Sequence, residues 1–310
     1  MDSYIAVDIG GTRLRVSSYP AEGIMPIEQS RIPTRTSTST AVERIIEQVA
    51  RLWPAEGRVH AIGIAAPGPI DSEKGVIYSA PNIPGWENLP LRQILEDRFQ
   101  VPVWLGNDAN MAALGEWKYG AGQGHSDLLY FTISTGIGGG VISANRLLVG
   151  GWGLAAELGH VIVDPNGPMC GCGCRGHLEA YASGTAIARY VAAELADGVP
   201  CTLPADPPPN TIEIAAAARA GDPLAKAAFD RAGYYLGIGV ANYLHIFNPS
   251  IVIFGGGVSR SGALLFDPMR VSLEQHVLSK AYLDRLVITD AALGDDAGLL
   301  GALALARQGD

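Results

Sequence analysis

The sequence is poor in charged residues and in basic residues above all. Charged residues make up 17% of the 310 residues, whereas hydrophobic residues make up 48%. This composition excludes an intrinsically disordered chain, which needs low hydrophobicity and high charge. Lys and Arg number 22 against 31 Asp and Glu, which gives a net charge of -9, and no cluster of basic residues occurs. Because nucleic-acid binders carry a basic face or tail, nucleic acid is not expected as a partner.

The sequence also lacks an uninterrupted hydrophobic run. Its most apolar segment, residues 236–254, is interrupted by Asn242, His245, Asn248 and Pro249, whereas a membrane span needs about 20 apolar residues. The first residues show no basic stretch followed by an apolar core, so no secretory signal peptide is predicted. No membrane partner is expected, and the protein is predicted to be cytoplasmic.

Cysteine is scarce and unevenly placed. Of the 4 cysteines, Cys170, Cys172 and Cys174 lie close together and Cys201 stands apart. Such dense spacing is unsuited to a disulfide framework and typical of a metal site, which agrees with a reducing compartment. Neither Cys201 nor the proline-rich segment 204–209 is assigned a function.

Glycine, in contrast, is abundant, with 39 residues. Three glycine clusters follow predicted strands, at residues 10–11, 136–140 and 255–257. The first two clusters each lead into a returning strand, so residues 4–17 and 128–142 repeat one strand, turn and strand plan. This internal duplication predicts two related lobes.

Helical and strand patterns alternate along the rest of the chain. Residues 40–43 have the form of a capping box ahead of an amphipathic helix. Strands are predicted at 59–65, 101–105 and 286–289, and helices at 224–247 and 295–307. The alternation predicts an α/β fold with largely parallel strand pairing.

The glycine turns are candidate phosphate sites, because glycine permits close backbone approach and successive N–H groups bind anions. Polar residues flank them: Asp8, Thr12 and Arg13 at the first, and Ser134 and Thr135 at the second. Asp8 is a candidate Mg²⁺ ligand, directly or through water. The alternative is three ordinary tight turns. Neither a Walker A loop nor a glycine turn opening a helix is present, which disfavours a Rossmann dehydrogenase.

Asp108 follows a predicted strand at the start of an alanine-rich helix. The positive end of the helix dipole favours its ionised form. An ionised carboxylate there can accept a proton from a hydroxyl that attacks phosphorus. The alternative is that Asp108 is only an N-cap.

Five motifs in fixed order carry a resemblance to a known family. They are Asp8-Ile9-Gly10-Gly11-Thr12, Ala66-Pro67-Gly68-Pro69, Asn107-Asp108-Ala109-Asn110, the run from Ser134 to Gly140, and Glu157-Leu158-Gly159-His160. With them the chain resembles the ROK family (repressors, open reading frames, kinases). The resemblance implies a duplicated, ribonuclease H-like, actin-like ATPase fold with two lobes and a cleft between them. It assigns residues 1–109 and 295–310 to a small lobe and 110–294 to a large lobe.

The resemblance also implies the reaction and its residues. It implies a glucokinase that transfers a phosphoryl group from Mg-ATP to the 6-hydroxyl of glucose, with Asp108 as catalytic base. The residues implied to bind the sugar are Gly68, Asn82, Asn107, Asp108, Glu157, His160 and Glu179. Those implied to bind ATP are Asp8, Gly10, Gly11, Thr12, Arg13, Ser134, Thr135, Gly136, Gly138, Gly255, Gly256 and Gly257.

A structural zinc ion is expected from the crowding of His160, Cys170, Cys172, Cys174 and His177. Zinc takes four nitrogen or sulfur ligands in a tetrahedron, and four protein ligands make a site structural rather than catalytic. His177 stands where the family usually has Cys. The predicted ligands are His160, Cys170, Cys172 and His177, with Cys174 in place of His177 as the alternative, and a metal-free reduced loop as the other reading.

Several alternatives stay open at this point. The substrate alternatives are N-acetylmannosamine, fructose or a broad range of hexoses, and polyphosphate is the alternative donor. A non-catalytic sugar-responsive repressor is disfavoured, because the first strand begins near Tyr4 and leaves no room for an N-terminal DNA-binding module. The resemblance implies a homodimer, with a tetramer as the alternative.

Overall fold

The fold is mixed α/β, and the computed structural model describes residues 2–37, 39–80 and 82–309. The strands are β1 Ser3–Ile9, β2 Arg13–Pro20, β3 Glu28–Pro33, β4 Val59–Ala66, β5 Ile70–Asp71, β6 Val76–Ser79, β7 Glu87–Leu89, β8 Val103–Asn107, β9 Leu128–Ile133, β10 Ile137–Ser143, β11 Arg146–Leu147, β12 Ile251–Gly255 and β13 Val287–Asp290. The helices are α1 Ala41–Arg51, α2 Leu91–Phe99, α3 Asp108–Tyr119, α4 Glu179–Ala182, α5 Gly184–Ala196, α6 Thr211–Arg219, α7 Pro223–Phe247, α8 Ala263–His276 and α9 Ala297–Gln308.

Two five-stranded sheets follow one plan. Their strand orders are β3-β2-β1-β4-β8 and β11-β10-β9-β12-β13, so each strand of the first has a counterpart at the same place in the second. A third, antiparallel sheet has the order β5-β6-β7. The internal duplication predicted from the glycine turns is therefore confirmed in the strand order of the two large sheets.

The pairing within these sheets is mixed rather than largely parallel. In the first sheet β1 pairs antiparallel with β2 and parallel with β4. The prediction of largely parallel pairing was wrong for the half of this sheet that contains β2 and β3, which are antiparallel neighbours. The physical reason is that consecutive strands joined directly, by the glycine turn after β1 or by residues 21–27 after β2, pair as antiparallel hairpins, whereas a parallel pair needs a longer crossover.

The chain divides into two compact units. The first comprises residues 1–125, 140–156 and 291–310, and the second comprises 126–139 and 157–290. These units place residues 110–125 and 140–156 with the first unit. The functional lobe boundaries predicted after residue 109 and before residue 295 stay a prediction.

In the first unit, apolar side chains cover both faces of the sheet. Ile5, Val7 and Ile64 belong to a core that also takes in the buried face of α1. Ala6 and Ala65 point to the opposite face, where they pack with residues of α3 and α9. The alternation along β1 follows from the two-residue repeat of a strand, and burial on both faces explains its continuous apolar run.

Local sequence signals place several helix ends. At the start of α1, Thr40 Oγ1 accepts from the N–H of Glu43 (3.2 Å) and a Glu43 carboxylate oxygen accepts from the N–H of Thr40 (2.8 Å), which confirms the predicted capping box. At the start of α7, Asp222 caps the helix and Pro223 occupies its first turn. Among the described residues, no helix is both long enough and apolar enough to cross a membrane.

Helices α3 and α9 approach each other through glycines in the first unit. A Cβ placed on Gly301 would lie 1.7 Å from the carbonyl oxygen of Met111, and one on Gly115 would lie 2.3 Å from that of Ala297. Buried Glu116 ties the same region together, since its carboxylate accepts from the N–H groups of Ala292 (3.1 Å) and Leu293 (2.8 Å). The position of α9 thus depends on backbone contact that side chains would block.

We expect Gly301→Ala to lower the free energy of unfolding by about 1–3 kcal/mol, because overpacking outweighs the better helix propensity of alanine. The control is Gly151→Ala, since a Cβ on Gly151 would meet no heavy atom within 4 Å. The control should stay within about 0.5 kcal/mol of the unsubstituted protein. Denaturant unfolding measures both, and equal stability of the two variants would contradict this account of the packing.

Candidate functional site

The first glycine turn joins β1 to β2 and is held by its neighbours. The N–H of Gly10 donates to the carbonyl of Arg13 (2.8 Å), and Thr34 Oγ1 donates to the carbonyl of Gly10 (2.6 Å). A Cβ placed on Gly11 would lie 3.2 Å from Cβ of Asn82, so this turn lies directly against a residue predicted to bind the sugar. Thr12 and Arg13, at the end of the turn, are exposed.

Asp8, at the end of β1, shares its carboxylate with Arg15 of β2. Both Nε (3.0 Å) and Nη2 (2.6 Å) of Arg15 donate to Oδ2 of Asp8, and Nη1 donates to Oδ1 of Asp296 (2.9 Å). Burial raises the pKa of the Asp8 carboxyl, and the Arg15 charge opposes that shift. With Oδ2 neutralised by Arg15, Oδ1 is the oxygen that can serve a cation or its water shell.

Asn107 and Asp108 divide two tasks at the start of α3. Asn107 is the N-cap, since its Oδ1 accepts from the N–H groups of Ala109 (3.0 Å) and Asn110 (3.3 Å). Its Nδ2 also donates to the carbonyl of Gly68 (3.2 Å), which brings two predicted sugar-binding positions together. Asp108 is the first helical residue and is exposed. The suggestion that Asp108 is only an N-cap was wrong, because Asn107 performs that role.

The second glycine turn joins β9 to β10 in the second unit. The N–H of Ser134 donates to the carbonyl of Gly136 (2.8 Å), and the carbonyl of Ser134 accepts from the N–H of Gly184 (2.8 Å). A carboxylate oxygen of Glu179 accepts from the N–H of Ile137 (2.9 Å). The turn is therefore held from both ends, by the start of α5 and by the start of α4.

The third glycine turn, at the end of β12, lies beside the second. The N–H of Val258 donates to the carbonyl of Ile133 (2.9 Å). Gly256 has φ +91°, and a Cβ there would lie 2.3 Å from that same carbonyl oxygen. Only glycine combines this left-handed conformation with such close backbone approach.

A cavity of about 800 Å³ opens beside these two turns within the second unit. Ser134, Thr135 and Gly257 line it together with one face of α5 and the start of α6. Its walls are mainly apolar, with Arg189, Arg219 and Arg260 among the lining residues. An apolar pocket whose rim carries backbone N–H groups, hydroxyls and cations suits a flat heterocycle that bears phosphates.

Most of the residues that line this cavity were not predicted from the sequence. Its unrecognised walls include five residues of α5, residues 208–212, Ala215 and Val258; the α5 residues are Gly184, Thr185, Ala188, Arg189 and Ala192. Nothing in the sequence of segment 204–209 predicts a function, yet Pro208 and Pro209 line the cavity. No local signal marks these residues, because helix packing brings them to the turns and their residue types are ordinary.

The segment Glu157–His160 is fixed against β10. A Cβ on Gly159 would lie 2.0 Å from the carbonyl oxygen of Ile137, so the segment packs on the backbone itself. The carbonyl of Glu157 accepts from the N–H of His160 (3.0 Å), and Glu157 is exposed. Glu157, His160 and Glu179 belong to the second unit, whereas Gly68, Asn82, Asn107 and Asp108 belong to the first.

The structure gathers His160, Cys170, Cys172 and His177 into a cluster that could hold a metal ion. The four donor atoms all lie within 4.8 Å of one another. The two Nδ1 atoms of His160 and His177 are 3.1 Å apart, and Cys172 Sγ is 3.3 Å from Nδ1 of His177. Zinc bonds of about 2.0–2.3 Å in a tetrahedron place neighbouring donors at about 3.3–3.8 Å, so this spacing fits such an ion.

The loop that bears these ligands folds back on itself. The N–H of Cys170 donates to the carbonyl of Cys174 (2.8 Å), and the N–H of Gly176 donates to the carbonyl of Pro168 (3.0 Å). Cys174 is exposed and lies outside the four-residue cluster, whereas His177 is buried within it. This geometry favours His177 over Cys174. Burial raises the pKa of the Cys170 thiol to about 11, and a bound cation would favour the thiolate instead.

Solved structures establish the class of fold. A ROK family glucokinase from Streptomyces griseus, in complex with glucose and AMPPNP, is 38% identical with a TM-score of 0.79, covering 99% of each chain. A ROK hexokinase from Thermus thermophilus is 38% identical with a TM-score of 0.81, covering 98% of this chain and 97% of that one. The protein therefore has the actin-like ATPase fold of the ROK sugar kinases.

Sequence comparison places the chain within a family. The ROK family model matches residues 4–309. A glucokinase from Thermotoga maritima is 39% identical over 309 residues, which cover 98% of this chain and 97% of that protein. The chain belongs to the ROK family.

We expect the purified protein to contain one zinc ion per chain, measured by plasma mass spectrometry. Cys172→Ser and His177→Ala should each lose the ion and lower the melting temperature, because a structural zinc site contributes folding energy. The control is Cys174→Ser, which should keep the ion. Loss of zinc from Cys174→Ser together with retention by His177→Ala would contradict the ligand set.

Proposed function

We propose that this ROK family protein is a glucokinase, which transfers the γ-phosphoryl group of ATP to the 6-hydroxyl of glucose. The observation that carries this proposal is its likeness, along nearly the whole chain, to the glucokinase solved with glucose and AMPPNP. The glucokinase from Thermotoga maritima, similar over nearly its full length, supports the same reaction.

Asp108 is the proposed catalytic base. It is exposed on the first turn of α3, at the positive end of the helix dipole. Its Oδ1 accepts from the N–H of Ala109 (2.8 Å), and Asn107 is the N-cap. As the sugar O6 attacks the γ-phosphorus, Asp108 accepts the hydroxyl proton. The bond between the γ-phosphorus and its bridging oxygen breaks, and ADP leaves.

The nucleotide is proposed to occupy the cavity in the second unit, with the adenosine against α5 and α6. Backbone N–H groups of Gly11, Thr12, Thr135 and Gly257, with the hydroxyls of Thr12, Ser134 and Thr135, would hold its phosphates. The N–H groups of Gly10, Ser134 and Ile137 already donate to acceptors within the protein. Asp8 would hold Mg²⁺ through Oδ1, since Arg15 occupies Oδ2. Magnesium there would neutralise charge on the phosphate oxygens.

The sugar is proposed to bind through Gly68, Asn82, Asn107, Asp108, Glu157, His160 and Glu179. A hexose presents hydroxyls that both donate and accept, and these side chains supply matching partners. Asn107 already makes three hydrogen bonds within its unit, so its orientation is fixed before the sugar arrives.

Zinc is the proposed occupant of the cluster of His160, Cys170, Cys172 and His177. Two sulfur and two nitrogen donors match the preference of zinc, and four protein ligands leave no open position for chemistry. Its role would be to fix the loop that bears His160 and Glu179. We also propose that the protein is a homodimer, or a tetramer, in solution.

We expect Asp108→Asn to lower kcat by about 10²–10⁴-fold while glucose binding stays measurable, because the amide keeps the shape but cannot accept the proton. Coupled assay of ADP release and glucose calorimetry measure the two quantities. The control is Asp97→Asn, an exposed carboxylate on α2 that should leave kcat unchanged. Near-normal turnover by Asp108→Asn would refute its role as base.

We expect glucose to give the highest kcat/KM in a panel with mannose, fructose, N-acetylglucosamine and N-acetylmannosamine, with ATP as donor. ATP should likewise exceed polyphosphate as donor. A higher kcat/KM for an N-acetylated sugar or for fructose would replace the glucose assignment by that substrate. No turnover of any of these sugars would favour a non-catalytic, sugar-responsive protein.

A further inference from the structure

The carboxylate of Glu179 lies between the Cys/His cluster and the second glycine turn. Its Oε1 accepts from the Cys170 thiol (3.4 Å), and its Oε2 accepts from the N–H of Ile137 (2.9 Å). All three residues belong to the second unit. One side chain therefore touches a residue of the metal cluster on one side and the backbone of a proposed phosphate turn on the other.

The contact with the turn is close. A Cβ on Gly136 would lie only 2.4 Å from Oε2 of Glu179. Because residue 136 has no side chain, the Glu179 carboxylate can reach the N–H of Ile137. The next residue before Gly136 is Thr135, which lines the large cavity. The carboxylate thus holds the backbone at Ile137, two residues after Thr135 of the cavity wall.

Glu179 is itself placed by the metal-binding loop. It is the first residue of α4 and lies two residues after His177. Leu178, between them, is fully buried and its N–H donates to the carbonyl of Val161 (2.9 Å). The conformation of the metal-binding loop therefore sets the position of the Glu179 backbone, from which the carboxylate extends.

We propose that Glu179 is a positioning residue that couples occupancy of the Cys/His cluster to the second glycine turn, and so to nucleotide affinity. This rests on the proposed nucleotide site. It goes beyond the role implied by family resemblance, in which Glu179 binds the sugar. Zinc ligation deprotonates Cys170 and ends its donation to Glu179, so the coupling runs through the chain: an ion that holds His177 restricts the backbone two residues before Glu179. Glu179 then restricts the turn, and the nucleotide meets a turn that is already ordered.

The experiment measures the dissociation constant of AMPPNP with Mg²⁺ by calorimetry. Each protein is studied loaded with zinc and after zinc has been stripped and the chelator removed. The proteins are the unsubstituted chain, Glu179→Ala and the control Glu274→Ala, an exposed glutamate on α8 of the same unit. Sugar is left out, so sugar contacts of Glu179 do not contribute.

In the unsubstituted protein and in Glu274→Ala, stripping zinc should weaken AMPPNP binding by about fivefold or more, the usual lower range of coupling between sites. Glu179→Ala should bind AMPPNP more weakly even when loaded with zinc. Stripping zinc from Glu179→Ala should then change its affinity by less than about twofold, because the connection between cluster and turn is gone.

Two conservative variants test whether Glu179 acts as a correctly placed hydrogen-bond acceptor or only through its negative charge. Glu179→Gln keeps an oxygen for the N–H of Ile137 and should retain most of the zinc dependence. Glu179→Asp keeps the charge but is one methylene shorter, so it should lose that dependence. Hydrogen exchange of a peptide covering residues 134–138 gives a second readout, with faster exchange in Glu179→Asp, and it serves even if Glu179→Ala fails to fold.

Equal zinc dependence of AMPPNP binding in the unsubstituted protein and in Glu179→Ala would overturn the inference. So would unchanged AMPPNP affinity in Glu179→Ala combined with a raised KM for glucose, which is the result expected of a residue that only binds sugar. Failure of the zinc-loaded, unsubstituted protein to bind AMPPNP would overturn the proposed nucleotide site and this inference together.

Discussion

The glycine turns depend on backbone lying directly on backbone. At Gly256 and at Gly159, a Cβ would lie 2.3 Å and 2.0 Å from carbonyl oxygens of Ile133 and Ile137. Backbone can approach backbone this closely only at a residue that has no side chain. These contacts press the third glycine turn and the Glu157–His160 segment onto the ends of β9 and β10.

A second constraint is shared by the polar residues of the candidate site. Three of these residues already make hydrogen bonds within the protein. Asp8 bonds to Arg15, Asn107 to the start of α3, and Glu179 to the N–H of Ile137. Bonds of this kind fix the orientation of a side chain before a ligand binds. Preorganised polar groups stabilise developing charge without reorganising, which is what phosphoryl transfer requires.

Much of this arrangement can be predicted from local patterns. Glycine after an apolar strand marks the three turns, Thr40 and Glu43 mark a helix start, and the crowding of Cys170 and Cys172 with two histidines marks the Cys/His cluster. Each signal is carried by residues close in sequence, where spacing alone restricts geometry. The Cys/His geometry also favours His177 over Cys174, because His177 belongs to the group of four donor atoms that lie within 4.8 Å of one another.

The remainder depends on contacts between distant segments. The approach of Glu179 to Ile137 joins residues 42 positions apart. The α5 wall of the cavity likewise joins segments that are distant in sequence. Tertiary packing decides them, and nothing in the local residue types reveals it. The sequence also could not show which of Asn107 and Asp108 is the N-cap of α3. Both residue types are good N-caps, and only the backbone geometry decides between them.

The most direct test of the whole account is the amide spectrum of ¹⁵N-labelled protein titrated with AMPPNP and Mg²⁺. The account predicts that the N–H resonances of Gly11, Thr12, Thr135 and Gly257 shift together, since main-chain groups at the glycine turns hold the phosphates. Unmoved resonances at all three turns, with saturable AMPPNP binding elsewhere in the chain, would contradict it.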